Sequence, residues 1–544
     1  MNFRPAVVAF IPCLAVCLVG VALAAVPART TSTFIVNSTL DATDASPGDG
    51  LCESASGNGI CTLRAAIQEA NAQAGADSIT LPTGIYSLTL KSGTCSSDIG
   101  DCAGDLDITG TLTLIGAGAN ETIIDGGGAA FRNRVFQTWA PSAVEIVNVT
   151  IRNGQPLNTG AGGGVFIEPQ SVLTLTQVVV SGNSSYGGGG IANGGRLTLL
   201  NSLVSNNSST SFHGGGISNG SGARLTLIST HVTTNTAAGF GGGGVAVSSG
   251  ATAGISTSLV SGNTVASGPG GGLYNDGTLV VYSSVVVSNT AWSGSGGGIY
   301  NGGGLTIDYS TIRNNSGSSA GGGIVNGYGG NLNISHSAIH DNTSSFRGGG
   351  VSNSGSLNLS SSTVSGNSAT THGGGLFNSG TAYLNNVTLT SNTADQYTAD
   401  AEAGDGGGVY QEFGAFNFMN TLIGGNVDTS GEAPDCGGGS LNSQDYNLIQ
   451  NTTGCAIGGT TAHNLTGQDP KLGPLENNGG ATYTHALLDG SPAIDAGGDT
   501  CTVTDQRGLI RLDGNGDATV TCDMGAYEFG YKVGVHLPVV MRAP

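Results

Sequence analysis

An all-β, right-handed parallel β-helix solenoid with a short N-terminal capping helix is the fold class this sequence predicts, and three observations predict it. Composition comes first: 96 glycines among 544 residues, 38% apolar residues and only 10% charged ones. That profile is too aliphatic for a low-complexity linker and lacks the G-X-Y period of collagen. The second observation is a repeat. Glycine triplets end at Gly164, Gly190, Gly216, Gly244, Gly272, Gly298, Gly323, Gly350, Gly375 and Gly408, 25 to 28 residues apart with one interval of 33, which is the mark of a solenoid. The third is the strict register inside each repeat.

An aliphatic residue follows every triplet, as at Val165, Ile191, Leu273, Ile299 and Val409. Asparagine stands two places further on in seven of the ten repeats: Asn193, Asn219, Asn275, Asn301, Asn326, Asn353 and Asn378. Spacing by two places both side chains on the inner face of one strand. A second alternating run follows, such as Leu225-Thr226-Leu227 or Leu305-Thr306-Ile307, and a third segment ends with an aliphatic residue three places before asparagine, as in Val232 with Asn235 and Val286 with Asn289. Three short strands per turn, with no helical pattern between them, predict coils stacked ~4.8 Å apart and a repeat region ~45 to 50 Å long. In such a stack every corner lies over its counterpart, so the glycines supply compact corners that accept positive φ. The asparagines supply amide ladders that satisfy one another.

The N-terminal end is predicted to be closed by a helix. CTLRAAIQEAN, residues 61 to 71, puts Leu63, Ala66, Ile67 and Ala70 on one helical face, able to cover a sheet end that otherwise invites edge pairing.

The net charge of -20 and pI near 4.5 lack the basic footprint of a nucleic-acid binder, and an anionic membrane would repel the chain. Residues 1 to 24, with Arg4, an apolar run from Ala6 to Leu23 and the small-residue site at Ala22-Leu23-Ala24, read as a secretory signal. A retained membrane anchor and a lipoprotein signal at Cys17 are the competing readings; Val16 stands where the latter wants a small residue. No later segment reaches spanning length, so the expected product is secreted or at the cell surface, without a transmembrane span. Cysteine usage agrees: Cys52 with Cys61, Cys95 with Cys102, Cys436 with Cys455 and Cys501 with Cys522 form four close pairs, read as local disulfides worth ~2 to 3 kcal/mol each.

Chemistry is sparse. Between residues 169 and 394 the acids are Asp276, Asp308 and Asp341, at different offsets from their triplets, so no pair of carboxylates is expected to converge there. His213 and His372 each precede a triplet but lie six coils, or ~29 Å, apart. Acids gather in two places outside the regular repeats: Asp98, Asp101, Asp105 and Asp107, and, in the long coil, Asp395, Asp400, Glu402, Asp405 and Glu412. Both read first as solvated loop acids that need no function, with calcium binding or the lining of a cleft as the alternative. Asp513, Asn515 and Asp517 have the alternate-residue oxygen spacing of a calcium loop, with Met524 where an EF-hand needs glutamate; they are the candidate structural calcium ligands, and no other cofactor is indicated. The outward position between the inward aliphatic and the inward asparagine carries Tyr274, Tyr300, Phe377 and Tyr410, candidates for stacking on sugar rings or on a protein partner.

Three stretches carry family resemblances. The GGG-aliphatic and aliphatic-x-x-N repeat over residues 162 to 426 resembles that of polymorphic outer-membrane proteins and of the wider pectin-lyase-like group. Residues 33 to 126, with CTLRAAIQEAN, GDLDIT and GAGANETIIDG, resemble the CSLREA-type N-terminal module of secreted β-helix proteins, with Ala65 in place of the usual glutamate. DPKLGPLENNGGATYTHALLDGSPAIDAG, followed by DQRG, DGNGD and CDMGAYE, resembles the choice-of-anchor Q module over residues 469 to 529. These resemblances imply a secreted or surface-associated architecture with no assigned reaction. The expected organisation is a signal at 1–24, the cap and first coils at 33–126, repeats at 127–426, a C-terminal module with two disulfides at 427–529, and a tail at 530–544. The function expected is non-catalytic, adhesive or structural, with a polysaccharide or a cell-surface partner as ligand. The alternative is a carbohydrate-active lyase or hydrolase whose site lies near the Asp395 to Glu412 insertion.

Overall fold

The structure, a computed structural model, describes residues 31–90, 104–157, 160–395, 406–511 and 521–530. It is a right-handed parallel β-helix. A typical coil contains four strand segments where three were expected: Leu273–Asn275, Thr278–Tyr282, Val285–Val287 and Thr290–Ala291. The extra break comes from one residue, Ser283, whose φ of 45° bends the second strand into the third. The same corner is taken by Asn201, Ser229, Thr257, Tyr309 and His336, all at positive φ. A periodicity count cannot see a single-residue corner, because the alternation resumes on its far side.

Each segment pairs in parallel with its counterpart one coil away, without slippage: Leu273 with Ile299, Leu279 with Leu305, Val286 with Ile312 and Thr290 with Ser316. The result is a short sheet of thirteen strands, a long bent sheet holding the second and third segments, and a third sheet of ten two-residue strands. Inward side chains stack into continuous columns; Ile299, Ile324, Val351 and Leu376 are all fully buried. Burial of each such side chain stabilises the fold by roughly 1.5–3 kcal/mol.

The three glycines of a triplet are required for different reasons. The first adopts positive φ, as at Gly214 (74°), Gly242 (72°) and Gly296 (72°), which suits glycine alone at little cost. The second and third are held by close approach of the next coil: a Cβ at Gly215 would lie 2.4 Å from the Gly243 carbonyl oxygen, and one at Gly216 2.7 Å from that of Gly244. Beside them runs a buried amide ladder. Asn207, Asn235, Asn263, Asn289, Asn315, Asn342, Asn367 and Asn392 each donate from Nδ2 to the Oδ1 of the asparagine one coil on, at 2.9–3.0 Å. A second ladder joins Asn275, Asn301, Asn326, Asn353 and Asn378 and ends on Gln411.

At the N-terminal end the helix Leu63–Ala72, capped by the Thr62 hydroxyl, lies against Ala76–Leu81 and Leu106–Ile108. Arg64 is pinned by Asp41 at 2.6 Å and by the Gly104 carbonyl. At the other end the solenoid does not stop at residue 426, as the repeat count implied. Cys436–Gly438, Ser440–Gln444 and Leu448–Ile449 add a further coil, and Ala456–Thr460 and Leu465–Thr466 part of another. The count ended early because Pro434-Asp435-Cys436 stands where the next triplet should be, and because Asp435 Oδ1 accepts from Asn426 and so takes over the amide ladder. After residue 470 the chain turns back. Leu472–Glu476 and Thr484–Leu487 form an antiparallel pair, and residues 482–508 and 523–526 lie along the bend of the long sheet from Tyr309 to Asn420. Cys52–Cys61, Cys436–Cys455 and Cys501–Cys522 are disulfide-bonded; Cys95 and Cys102 lie outside the described residues.

Candidate ligand-binding face

Three rows of side chains follow the outer face of the short sheet, because in-register pairing stacks equivalent positions. The central row runs Phe166, Ala192, Ser218, Ala246, Tyr274, Tyr300, Val325, Ser352, Phe377, Tyr410. One flanking row precedes each triplet and carries His213, Arg347 and His372; the other follows each strand and carries Glu168, Asp276 and Glu412.

Aromatic residues gather at two places on this face. In the first, Tyr274 and Tyr300 stack at 5.5 Å with planes 6° apart, and His213 covers the other side of Tyr274 at 5.0 Å. The Tyr274 hydroxyl donates to the Asp276 carboxylate. Burial and that neighbouring carboxylate push both tyrosine hydroxyls above the ordinary phenol value. Burial pulls His213 below the ordinary imidazole value, against the opposing pull of Asp276, so it is neutral at pH 7. Beside this cluster, on the corner leading from the third sheet, Tyr186, Phe212 and Phe240 form a row at 5.9 and 5.5 Å. Trp292 stands exposed further along the same corner.

In the second cluster the Arg347 guanidinium lies 4.7 Å above Phe377 and 4.5 Å above Phe346 and pairs with Glu412 at 2.9 Å. Tyr410 stacks on Phe377 at 5.8 Å and His372 on Tyr410 at 4.3 Å. Phe377 is thereby only 2% exposed.

These contacts change what the four aromatic candidates offer a ligand. Tyr274 is enclosed between Tyr300 and His213, and Phe377 between Tyr410 and Arg347, so these two spend their ring faces on protein; Tyr410 stacks on Phe377 and His372, both of the preceding coil, and its other neighbour is Gly437. Ring edges and hydroxyls remain. Rings with open faces are those the sequence reading passed over: Phe240, 61% exposed, and Trp292, 67% exposed, with Phe212 and Phe346 less so. They sit one or more residues before the triplet, in corner loops of variable length, where a register counted from the glycines loses its hold.

The acids are dispersed. Asp308 accepts from Ser335 and pairs with His336 at 2.9 Å, Asp341 pairs with His340 at 2.8 Å, and Asp276 is held by Tyr274. His213 and His372 occupy the same row, six coils apart. Asp105 pairs with Arg134 at 3.4 Å, and burial pushes its carboxyl up against the pull of Arg134 and Arg64; Asp107 accepts from Trp139 Nε1 at 2.8 Å. Asp395 is buried, its amide donating to the Thr371 carbonyl. Asp98, Asp101, Asp400, Glu402, Asp405 and the calcium candidates Asp513, Asn515 and Asp517 lie outside the described residues. Among the described residues no three His, Cys, Asp or Glu side chains are grouped to hold a metal ion, and no helix is long and apolar enough to cross a membrane.

Residues 135–306 match the family description "right handed beta helix region". No curated protein matches the sequence. Among solved structures, the crystal structure of pectate lyase Pel9A is similar at 12% identity, with 92% of this chain and 98% of that chain covered and a TM-score of 0.29.

Proposed function

We propose that this is an exported β-helix protein that holds an uncharged polysaccharide, or a glycan-coated partner surface, along the corner and outer face of its short sheet without cleaving it. The carrying observation is the exposed Phe240 ring at the end of the stacked row Tyr186, Phe212, Phe240, spaced by one coil each beside the Tyr274–Asp276 hydrogen bond. Open ring faces take the apolar faces of sugars, and adjoining hydroxyl and carboxylate oxygens take their hydroxyls. The net charge of -20 disfavours polyanionic glycans. Export by the 1–24 signal, the division at 33–126, the CSLREA-like and choice-of-anchor Q-like modules, and calcium at Asp513, Asn515 and Asp517 belong to the same proposal. A panel of insoluble and soluble neutral glycans tests it: retention by the wild type and its loss in Phe212→Ala/Phe240→Ala support it, and equal retention by both proteins overturns it.

The second reading is a carbohydrate-active enzyme. Arg347 and Glu412 favour it, since a guanidinium and a carboxylate meet on one outer face beside His372 and Tyr410, next to the long coil. New reducing ends or unsaturated products from the same panel, abolished by Glu412→Gln, would establish this reading in place of the first.

A further inference from the structure

Where the folded-back segment crosses the bend of the long sheet, a carboxylate, an imidazole and a hydroxyl line up. His336 Nδ1 lies 2.9 Å from Asp308 Oδ1, and His336 Nε2 lies 3.0 Å from the Thr504 hydroxyl. An ionised carboxylate only accepts, so Nδ1 carries the proton; in the neutral ring Nε2 is then bare and accepts from Thr504. Asp308 is itself held by the Ser335 hydroxyl at 2.9 Å, and the Tyr309 ring stacks on His336 at 4.5 Å with planes 7° apart. Further along the bend the contacts differ in kind, for Asn386 and Asn420 take main-chain groups of the folded-back segment.

Three distant stretches of chain meet here. Asp308 closes the strand Gly304–Asp308, His336 turns the corner after the counterpart strand Asn331–Ser335 one coil on, and Thr504 forms an isolated bridge with Ile510. The trio is open to solvent: the Asp308 and His336 side chains are 29% and 20% exposed. Ile510, directly across the bridge from Thr504 and so on the same face, is 59% exposed, and Tyr282, edge-on to Tyr309 at 6.0 Å, 47%. These two form an apolar rim. The Tyr309 hydroxyl lies beside Gly508. Neither it nor the Thr504 main-chain N–H makes a hydrogen bond among the described residues, so both remain as donors.

We propose that Thr504 and His336 are the catalytic residues, and Asp308 the positioning residue, of an ester hydrolase acting on uncharged acyl esters. Thr504 Oγ1 bonds the ester carbonyl carbon while its proton passes to His336 Nε2. The oxyanion so formed accepts from the Tyr309 hydroxyl and the Thr504 N–H. Collapse breaks the bond to the alcohol oxygen, which leaves with the proton from Nε2. Water then attacks the acyl carbon and gives a proton to Nε2; the bond to Oγ1 breaks, Thr504 recovers the proton, and a carboxylic acid departs. The apolar rim of Ile510 and Tyr282 suits an uncharged acyl or aryl group, whereas Asp308 and the net charge of -20 disfavour an anionic one. This site lies on the bend of the long sheet, apart from the outer face of the short sheet, and is independent of glycan retention there.

Turnover of 4-nitrophenyl butyrate by the full-length protein tests this, together with covalent capture by an alkyl fluorophosphonate mapped by mass spectrometry. The wild type and Thr504→Ser are expected to release 4-nitrophenolate. Thr504→Val and His336→Gln are expected to lose about a hundredfold or more of that rate, with the melting of the coils unchanged. Asp308→Asn is expected to lower kcat and leave KM in place, a split that simple loosening of the loop would not give. The phosphonyl group is expected on Thr504 of the wild type, a readout that needs no variant to fold. Turnover no faster than that of free imidazole at equal concentration would overturn the proposal. So would a Thr504→Val protein as active as the wild type, or a phosphonyl group found on another residue.

Discussion

His213 and Tyr274 stack at 5.0 Å although a whole coil separates them. The intervening coil makes room: it carries Gly241 and Ala246 where its neighbours carry larger groups, and a Cβ at Gly241 would stand 2.9 Å from Tyr274 Cδ2 and 2.5 Å from the Pro269 carbonyl. Gly241 also has a φ of 120°. Gly241→Ala is therefore expected to lower stability by about 1–3 kcal/mol and to displace the Tyr274 ring. Denaturant midpoints measure the first effect, and the near-ultraviolet circular dichroism of the stacked tyrosines the second.

Asn289 sits in the middle of the buried amide ladder, donating to Asn315 and to the Val260 carbonyl and accepting from Asn263. Asn289→Ala removes the acceptor of the Asn263 main-chain N–H and of one Asn263 Nδ2 hydrogen, whose other hydrogen keeps the Val232 carbonyl, and removes the side-chain donor to the Val260 carbonyl. Each orphaned group costs about 1–3 kcal/mol, and Asn426→Ala, which takes the same contacts from Asn392 and the Leu389 carbonyl and also a donor from buried Asp435, is expected to lose at least as much. Urea unfolding of the two variants gives the comparison.

Much of this architecture was legible because it repeats. Glycine triplets and asparagines fixed the coil boundaries, and in-register stacking made one coil's inner face predict the next. What escaped notice lacks a period. The corner at Ser283 is one residue long; Pro434-Asp435 replaces a triplet; and Phe240 and Trp292 stand in loops whose lengths differ from coil to coil. Outward direction was readable from alternation for Tyr274 and Phe377, but their covering partners His213 and Arg347 come from other coils, a relation that no local pattern encodes.

Six charged groups are packed inside the folded-back segment. Arg507 pairs with Asp505 and Arg511 with Glu528, and Asp523 and Asp495 adjoin them. Burial and the Asp523 charge push the Glu528 carboxyl up to about 7, against the pull of Arg511; burial pushes Asp523 up to about 6. A folded-state value above the unfolded one means that the folded protein binds more protons between them. Stability from these groups is thus present below the unfolded value and is lost as pH rises through about 7. Buried His485 opposes this, since burial lowers its value and protonation on acidification disfavours the fold. Melting measured from pH 5.5 to 8 is expected to fall up to about pH 7 and level off above it, a fall that Glu528→Gln reduces and His485→Gln leaves in place.

The Cys501–Cys522 bond closes a loop in which Thr502 contacts Asn386, and just before it Gly498 contacts Asn420. Cys501→Ser/Cys522→Ser is expected to weaken that segment by roughly 2–4 kcal/mol while leaving the coils before Tyr309 unaffected, because each coil touches only its neighbours. Hydrogen exchange resolved along the chain should show faster exchange over residues 498–511 and 521–526 and no change over residues 165–287.

Because Leu273 faces Ile299 with no offset, excising residues 273–298 would join Gly272 to Ile299 and bring Asn263 opposite Asn315 without disturbing either neighbour's alignment. Rod length in this molecule is therefore quantised: gain or loss of whole windings moves the two ends closer or farther apart in steps of ~4.8 Å. Reach can be tuned by duplication or excision alone, with no new surface to invent.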